Sequence, residues 1–282
     1  MPITVTLDMY SGRPNPSWEL TESQIAKLRK FLAKQQPSPL AASADSGRLG
    51  YRGMIVSSVS EIDTPQLARV FDGHFQSAAF GSQTHVDSDS KLEKFLLETG
   101  ATKLQGCEAE LVAAEIEKNV KGGAGNLLRN IQPLAEPPYD PLKWNSNPLI
   151  MRSNNCYNYG NDIITNTIAQ PGRGSGQEGP LPPSCSGTGA AAVRDGQVSI
   201  TNPNQTFAQG HVIALVISSS WQDYHWYRRD KNGKWSHKPG PTAARNVDNS
   251  GDLISSPETC DRGPYEQFCG YYHCIPANVR IR

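Results

Sequence analysis

Ser153-Asn154-Asn155-Cys156-Tyr157-Asn158-Tyr159-Gly160 sets a cysteine directly behind two asparagines, at what reads as the first turn of a helix. Asparagine is a favoured N-cap, so Asn155 is expected to cap this helix and leave Cys156 at its first position. There the unpaired backbone N–H groups and the positive end of the helix dipole favour a thiolate. The helix is expected to run to about Ile168 and to pack Tyr157, Ile163, Ile164 and Ile168 against a sheet. That reading decides the fold class: α+β, with a small N-terminal α/β unit followed by a helix-on-antiparallel-sheet domain.

Strand patterns dominate downstream of this helix: 197–201, 211–219, 224–229 and 234–238, with Val212-Ile213-Ala214-Leu215-Val216-Ile217 the longest apolar run. Asn232-Gly233 between the last two is a strong hairpin turn. A two-residue turn there sets Arg228 opposite His237 and sends His225 to the other face. A Gly/Pro-rich stretch from 170 to 189 reads as a surface loop or flap. Upstream, five prolines between 132 and 148 predict an extended connection. Before it, a strand over 3–10 is expected, then a helix opened by the capping box Thr21–Gln24 with Ile25, Leu28, Phe31 and Leu32 inward. A strand over 51–57 and helices near 90–99 and 108–120 complete the first unit. The expected organisation is an N-terminal domain over 1–130, a connection over 131–148 and a second domain over 149–282.

With Lys plus Arg and Asp plus Glu at 27 each, the formal net charge is zero, which argues against a nucleic-acid partner. No run of 18 apolar residues marks a membrane span. Met1 to Leu7 lacks the basic and long apolar regions of a secretory signal, so a cytoplasmic site is expected unless a leader was removed. Nothing in the pattern asks for a cofactor.

The chemistry expected of Cys156 is nucleophilic. His225 and His237 are candidate general bases, with His211 at a strand entrance behind them. Asn246 or Asp248 would orient the imidazole, and turn chemistry is the competing use of that Asn/Asp/Ser/Gly cluster. The Cys156 N–H with the amide of Asn154 or Asn155 would form an oxyanion hole, and Trp226 and Trp235 would contact substrate. Cys185 lies in a breaker-rich loop and Cys107 reads as structural. At the C-terminus, Cys260, Cys269, His273 and Cys274 are spaced too unevenly for a zinc site, so a disulfide or packing is preferred and no metal is assigned.

In order and context, residues 149–282 resemble the papain-like cysteine hydrolase superfamily, which includes the NlpC/P60 and CHAP amidases. The resemblance rests on the Asn-Asn-Cys-Tyr-Asn-Tyr helix start, the histidine-bearing strands and the following Asn/Asp. It implies a papain-like fold, Cys156 as nucleophile, His225 or His237 as base, and a peptide or amide substrate cleaved or transferred through an acyl-enzyme. Asp-Cys-Ser-Gly is absent at Cys156, and so is the papain-type glutamine ahead of it. The alternative is a non-catalytic binding or matrix protein, in which Trp221, Tyr224, Trp226, Tyr227 and Trp235 form an aromatic face for glycan or peptide.

Overall fold

A computed structural model describes residues 2–33, 36–37, 47–58, 66–77, 84–104, 108–119, 136–179 and 181–282. The chain divides into two compact units. The first holds Met1–Met9, Asn15–Ser46 and Tyr51–Ala124, and the second holds Tyr10–Pro14, Gly47–Gly50 and Gly125–Arg282. The expected domains were 1–130 and 149–282; two short N-terminal segments, Tyr10–Pro14 and Gly47–Gly50, group with the second unit. The expected connection over 131–148 is part of that unit too.

The first unit is built on an antiparallel sheet of β1 (Ile3–Leu7), β2 (Ser17–Glu19), β3 (Gln36–Pro37), β4 (Met54–Ser58), β5 (Gln66–Phe71), β6 (His74–Ser77) and β7 (Thr84–Val86). The order is β2-β1-β4-β5-β6-β7-β3. Helices α1 (Glu22–Leu32), α2 (Lys91–Thr99) and α3 (Glu108–Asn119) accompany it. The capping box at α1 is present in both directions: Gln24 N–H donates to the Thr21 hydroxyl, and Thr21 N–H to the Gln24 side chain. Ile25 and Leu28 are buried as expected. In α3 the inward side is carried by Val112 and Ile116, whereas Ala114 is exposed. Directly after β1, Asp8 is buried in an ion cluster: its carboxylate accepts from Arg52 at 2.7 Å and Arg69 at 3.0 Å. Burial alone would raise the Asp8 carboxyl, but the two guanidinium groups hold it below the usual carboxylate range.

The second unit begins its regular structure with α4 (Pro141–Asn145) and α5 (Pro148–Ser153). The first lies in the proline-rich stretch expected to be extended, and the second begins at its last residue, Pro148. The prolines sit at the first helical turn, where the missing N–H costs nothing, behind the N-caps Asp140 and Asn147. Then come α6 (Cys156–Asn161), α7 (Cys185–Arg194), β8 (Val198–Ile200), β9 (His211–Ser218), β10 (Asp223–Arg229), β11 (Trp235–His237) and β12 (Gln267–Cys274). The strands form an antiparallel sheet ordered β11-β10-β9-β12-β8. Every residue of β9, β10 and β11 is buried. One face packs α6 and α7 over Ile213, Leu215, Ile217, Tyr224, Trp226 and Tyr272. The other carries Val212, Ala214, Val216, Tyr227, Trp235 and Tyr271, covered by Leu49, Ile254 and Tyr265.

The α+β class and the antiparallel sheet of the second unit are as expected, whereas the first unit, expected as α/β, pairs its described strands antiparallel throughout. Helix α6 differs from expectation in length. It ends at Asn161, with Asp162 in the left-handed region at φ 56°, rather than running to Ile168. Helix α7 lies where a breaker-rich loop was expected. Its two glycines are tolerated for a packing reason at Gly189, where a Cβ would fall 2.3 Å from the Tyr272 hydroxyl.

Candidate functional site

Helix α6 starts as its sequence dictates. The Asn155 carboxamide oxygen accepts from Tyr157 N–H and Asn158 N–H at 3.1 Å each, and the Asn158 side chain returns a bond to Asn155 N–H. The carboxamide N–H₂ of Asn155 is spent on the carbonyls of Gly12 and Ala169, both at 2.8 Å. Asn154 is equally occupied, accepting from the backbone of Thr165 and Asn166 and donating to Ile150. Neither amide is left to hold an oxyanion. The two asparagines instead tie the loops around α6 to its first turn.

Cys156 is completely buried. Its sulfur donates to the Tyr224 carbonyl at 3.9 Å and hydrogen-bonds no histidine. Burial pushes the thiol well above its ordinary range, and the charge of Asp223 pushes in the same direction. The expected helix-dipole stabilisation fails on magnitude. One short helix contributes about 0.3–1 kcal/mol to a terminal charge, whereas an unpaired buried ion costs several kcal/mol. The residue is a neutral core thiol, not a thiolate.

The histidines are placed by a register that differs from the expected one. Residues 230–234 form a longer turn, with Asp230 N–H donating to Lys234 O and Gly233 N–H to Asp230 O. This sets Tyr227, not Arg228, opposite His237. His225 and His237 therefore share a face, contrary to the two-residue-turn reading, and their Nε2 and Nδ1 atoms are 2.9 Å apart. His237 Nε2–H donates to the Val247 carbonyl at 3.1 Å, so its Nδ1 accepts from His225 Nε2–H. The rings pack with Tyr227 and Tyr265. This is the face opposite to Tyr224 and Trp226, which pack with Cys156, because side chains alternate along β10. Nucleophile and base are thus divided between the two faces of one sheet.

The remaining candidates also hydrogen-bond within the fold. The acceptor that orients His237 is a backbone carbonyl rather than Asn246 or Asp248. Asp248 accepts from the N–H groups of Ser250, Asp252 and Asp261, which is turn chemistry. The Asn246 carbonyl accepts from Ile254. His211 donates to the Gly160 carbonyl at 2.6 Å, and burial pushes its pKa down to about 4.

Against this geometry stands a relative. Insoluble matrix shell protein 1 of Ruditapes philippinarum is 48% identical to the chain over 134 residues, a match covering 86% of that protein and 47% of this chain. The chain belongs to the family of insoluble matrix shell protein 1. No family model and no solved structure matches it. The expectation of a cysteine-dependent amide or peptide hydrolase, or acyl transferase, is thereby overturned in favour of the non-catalytic alternative.

For a shell-matrix family member, the aromatic face expected under that alternative needs its own correction. Trp221, Tyr224, Trp226, Tyr227 and Trp235 are all buried, Tyr224 and Trp226 on one face of the sheet and Tyr227 and Trp235 on the other. Trp226 and Trp235 contact core residues and are closed to a ligand. Cys185, expected in a loop, opens α7 under a Ser184 cap and is joined to Cys269 by a disulfide. Cys156, Cys260 and Cys274 are free, and Cys107 lies outside the described residues. Among the described residues no group of three or more His, Cys, Asp or Glu side chains is placed to hold a metal ion, and no helix is long and apolar enough to cross a membrane. His273 donates to Gln209 O, while Cys274 faces Asn161.

Sequence reasoning missed the polar residues that hold this unit together. Arg228 is buried against Asp230 at 3.0 Å, Asp162 at 2.9 Å and the Tyr159 hydroxyl at 3.1 Å, with its guanidinium over the Tyr159 ring. Burial raises Asp230 to about 6, against the pull of Arg228. The Asp223 carboxylate accepts from the backbone N–H of Ser11 and Arg13 and from the Tyr265 hydroxyl. Buried Lys238 donates to the carbonyls of Met151, Asn154 and Gly240, closing the end of α5. Alternation along β10 was the available signal: with both faces buried, each charged residue in that strand must find a partner inside.

Proposed function

We propose that the chain is a non-catalytic structural protein of an extracellular, shell-type insoluble matrix. The observation that carries this reading is the 48% identity over 86% of a protein named for that matrix. The geometry supports it independently, since the polar residues that would form a hydrolytic site are consumed by hydrogen bonds within the fold. The layering of α6 on β9 and β10 is consistent with a papain-like architecture, which we propose as scaffold only; no bond-breaking chemistry is part of the reading.

Fractionation of the tissue that makes the protein tests the proposal. After the mineral is dissolved with a chelator, an antibody to the chain is expected to find it in the insoluble residue. Recovery solely from the cytosolic supernatant would overturn the assignment.

A further inference from the structure

We propose that Asn204 is the attachment site of an N-linked glycan. Asn204-Gln205-Thr206 is the one Asn-X-Ser/Thr triplet in the chain whose middle residue is not proline. The pattern is short, and its weight here comes from where the fold puts it. Residues 204, 205 and 206 are all exposed, on the loop between β8 and β9. Asn204 N–H donates to the Asn202 carboxamide at 2.9 Å and Gln205 N–H to the Asn202 carbonyl at 3.2 Å, forming a turn that holds the Asn204 side chain outward. No protein partner takes the Asn204 carboxamide among the described residues.

The feet of the loop are tied down while its tip stays open. Arg229 donates to the Gln205 carbonyl at 3.1 Å, and Phe207 stacks on His273 with ring centroids 3.7 Å apart. A bulky, solvated substituent at 204 therefore extends into water without disturbing the core behind it. The disulfide between Cys185 and Cys269 supplies a second, independent observation. Such bonds persist in oxidising secretory and extracellular surroundings, where lipid-linked oligosaccharide donors act.

The chemistry is a group transfer. The Asn204 Nδ2 forms a bond to the anomeric carbon of a lipid-pyrophosphate-linked oligosaccharide. The bond from that carbon to the pyrophosphate oxygen breaks, and the lipid pyrophosphate leaves with the electron pair. One Nδ2 proton passes to a base of the transferase, and nothing is oxidised or reduced.

The test uses the full-length protein isolated from the tissue that makes it. Peptide mapping with and without peptide-N-glycosidase is expected to show the peptide spanning 204 only after the enzyme, with aspartate at that position. In cultured animal cells secreting the full chain from a heterologous leader, the mobility shift on glycosidase treatment should vanish completely in Asn204→Gln and Thr206→Ala and survive in Thr206→Ser. All three changes are at exposed positions, so folding is retained. Native protein carrying the Cys185–Cys269 disulfide but an unmodified Asn204 overturns the proposal. Native protein with both cysteines reduced overturns it too, because the chain would not have passed through the compartment. The matrix assignment is read separately, by fractionation, so the two can fail independently.

Discussion

The two units solve the burial of a sheet differently. In the first, β1, β2 and β4 mix buried with half-buried or exposed residues, and charge is confined to local clusters such as Asp8 with Arg52 and Arg69. In the second, no residue of β9, β10 or β11 is exposed, yet β10 alone carries Asp223, His225, Arg228 and Arg229. A polar residue in a sheet covered on both faces cannot reach water, so each must be paired inside. The same burial perturbs its protonation. Perturbed Cys, His and Asp side chains are a mark of active sites; here, on the two faces of one sheet, the perturbation follows from burial.

The largest effect expected from this contrast is at Arg228. Arg228→Ala leaves Asp230 buried without its partner, and breaking such a pair costs about 3–5 kcal/mol. The equivalent change in the first unit, Arg69→Ala, should cost about 1 kcal/mol: Arg69 is 22% exposed and Asp8 keeps Arg52. Urea unfolding of both variants checks this. Equal losses would break the distinction between the units.

Next is the disulfide. Cys185 and Cys269 close a separation of 84 residues within the second unit, and replacing both by serine should lower its stability by up to about 4 kcal/mol. Trp144, Trp221, Trp226 and Trp235 all belong to that unit, so intrinsic fluorescence reports the change. A midpoint in urea unmoved by the double substitution would show that the doubly covered sheet needs no cross-link.

A third effect distinguishes the units by pH. Glu93, buried on α2, accepts from the Tyr51 hydroxyl, and burial pushes its carboxyl up to about 7. Its folded pKa lies above the ordinary 4.5, so its stabilising contribution is complete below 4.5 and is lost as pH rises to 7. Glu93→Gln keeps an acceptor for Tyr51 and removes the charge. It should leave stability nearly unchanged at pH 4.5 and raise it by up to about 3 kcal/mol at pH 8. His211 in the second unit runs the other way. Its folded pKa of about 4 lies below the ordinary 6.5, so stability falls as pH drops through that window. Denaturant titrations at both pH values check the Glu93 sign, and a gain of the same size at pH 4.5 would refute the carboxyl's role.

What was legible in the sequence was local. The Thr21–Gln24 capping box, the Asn155 N-cap and strands β9 to β11 follow from side-chain chemistry within a few residues. What escaped depended on partners far along the chain. The register of β10 on β11 turned on whether two residues or five make the bend at Asn232-Gly233. A slip of one residue reverses the face on which His237 lies. Helix α7 looked broken because the packing of Gly189 under Tyr272 is invisible locally. Strand β12 was unmarked because its pairing jumps a bulge at Phe268/Gly270, where Gly270 takes φ 133°. Helix position alone made Cys156 resemble a nucleophile; only the tertiary fold supplies the burial that neutralises it.

The smallest effect expected is the one that bears most directly on that cysteine. Iodoacetamide attacks thiolates, and Cys156 is fully buried with its thiol pushed up, as is Cys274. Cys260 is half-buried near the Tyr227 hydroxyl and raised only to about 11. In the native protein at pH 8, Cys260 should therefore label slowly and first. Cys156 and Cys274 should label only at the rate of global unfolding, together and with the same dependence on urea. Cys156→Ala removes one sulfur atom from a packed face and should cost about 1 kcal/mol, the centre of the range for single substitutions. If Cys156 instead reacts first, at pH 6 and without denaturant, its burial is not the controlling fact. The contrast between a sheet that hides its polar groups and one that leaves them near water would then have to be redrawn around an opening at α6.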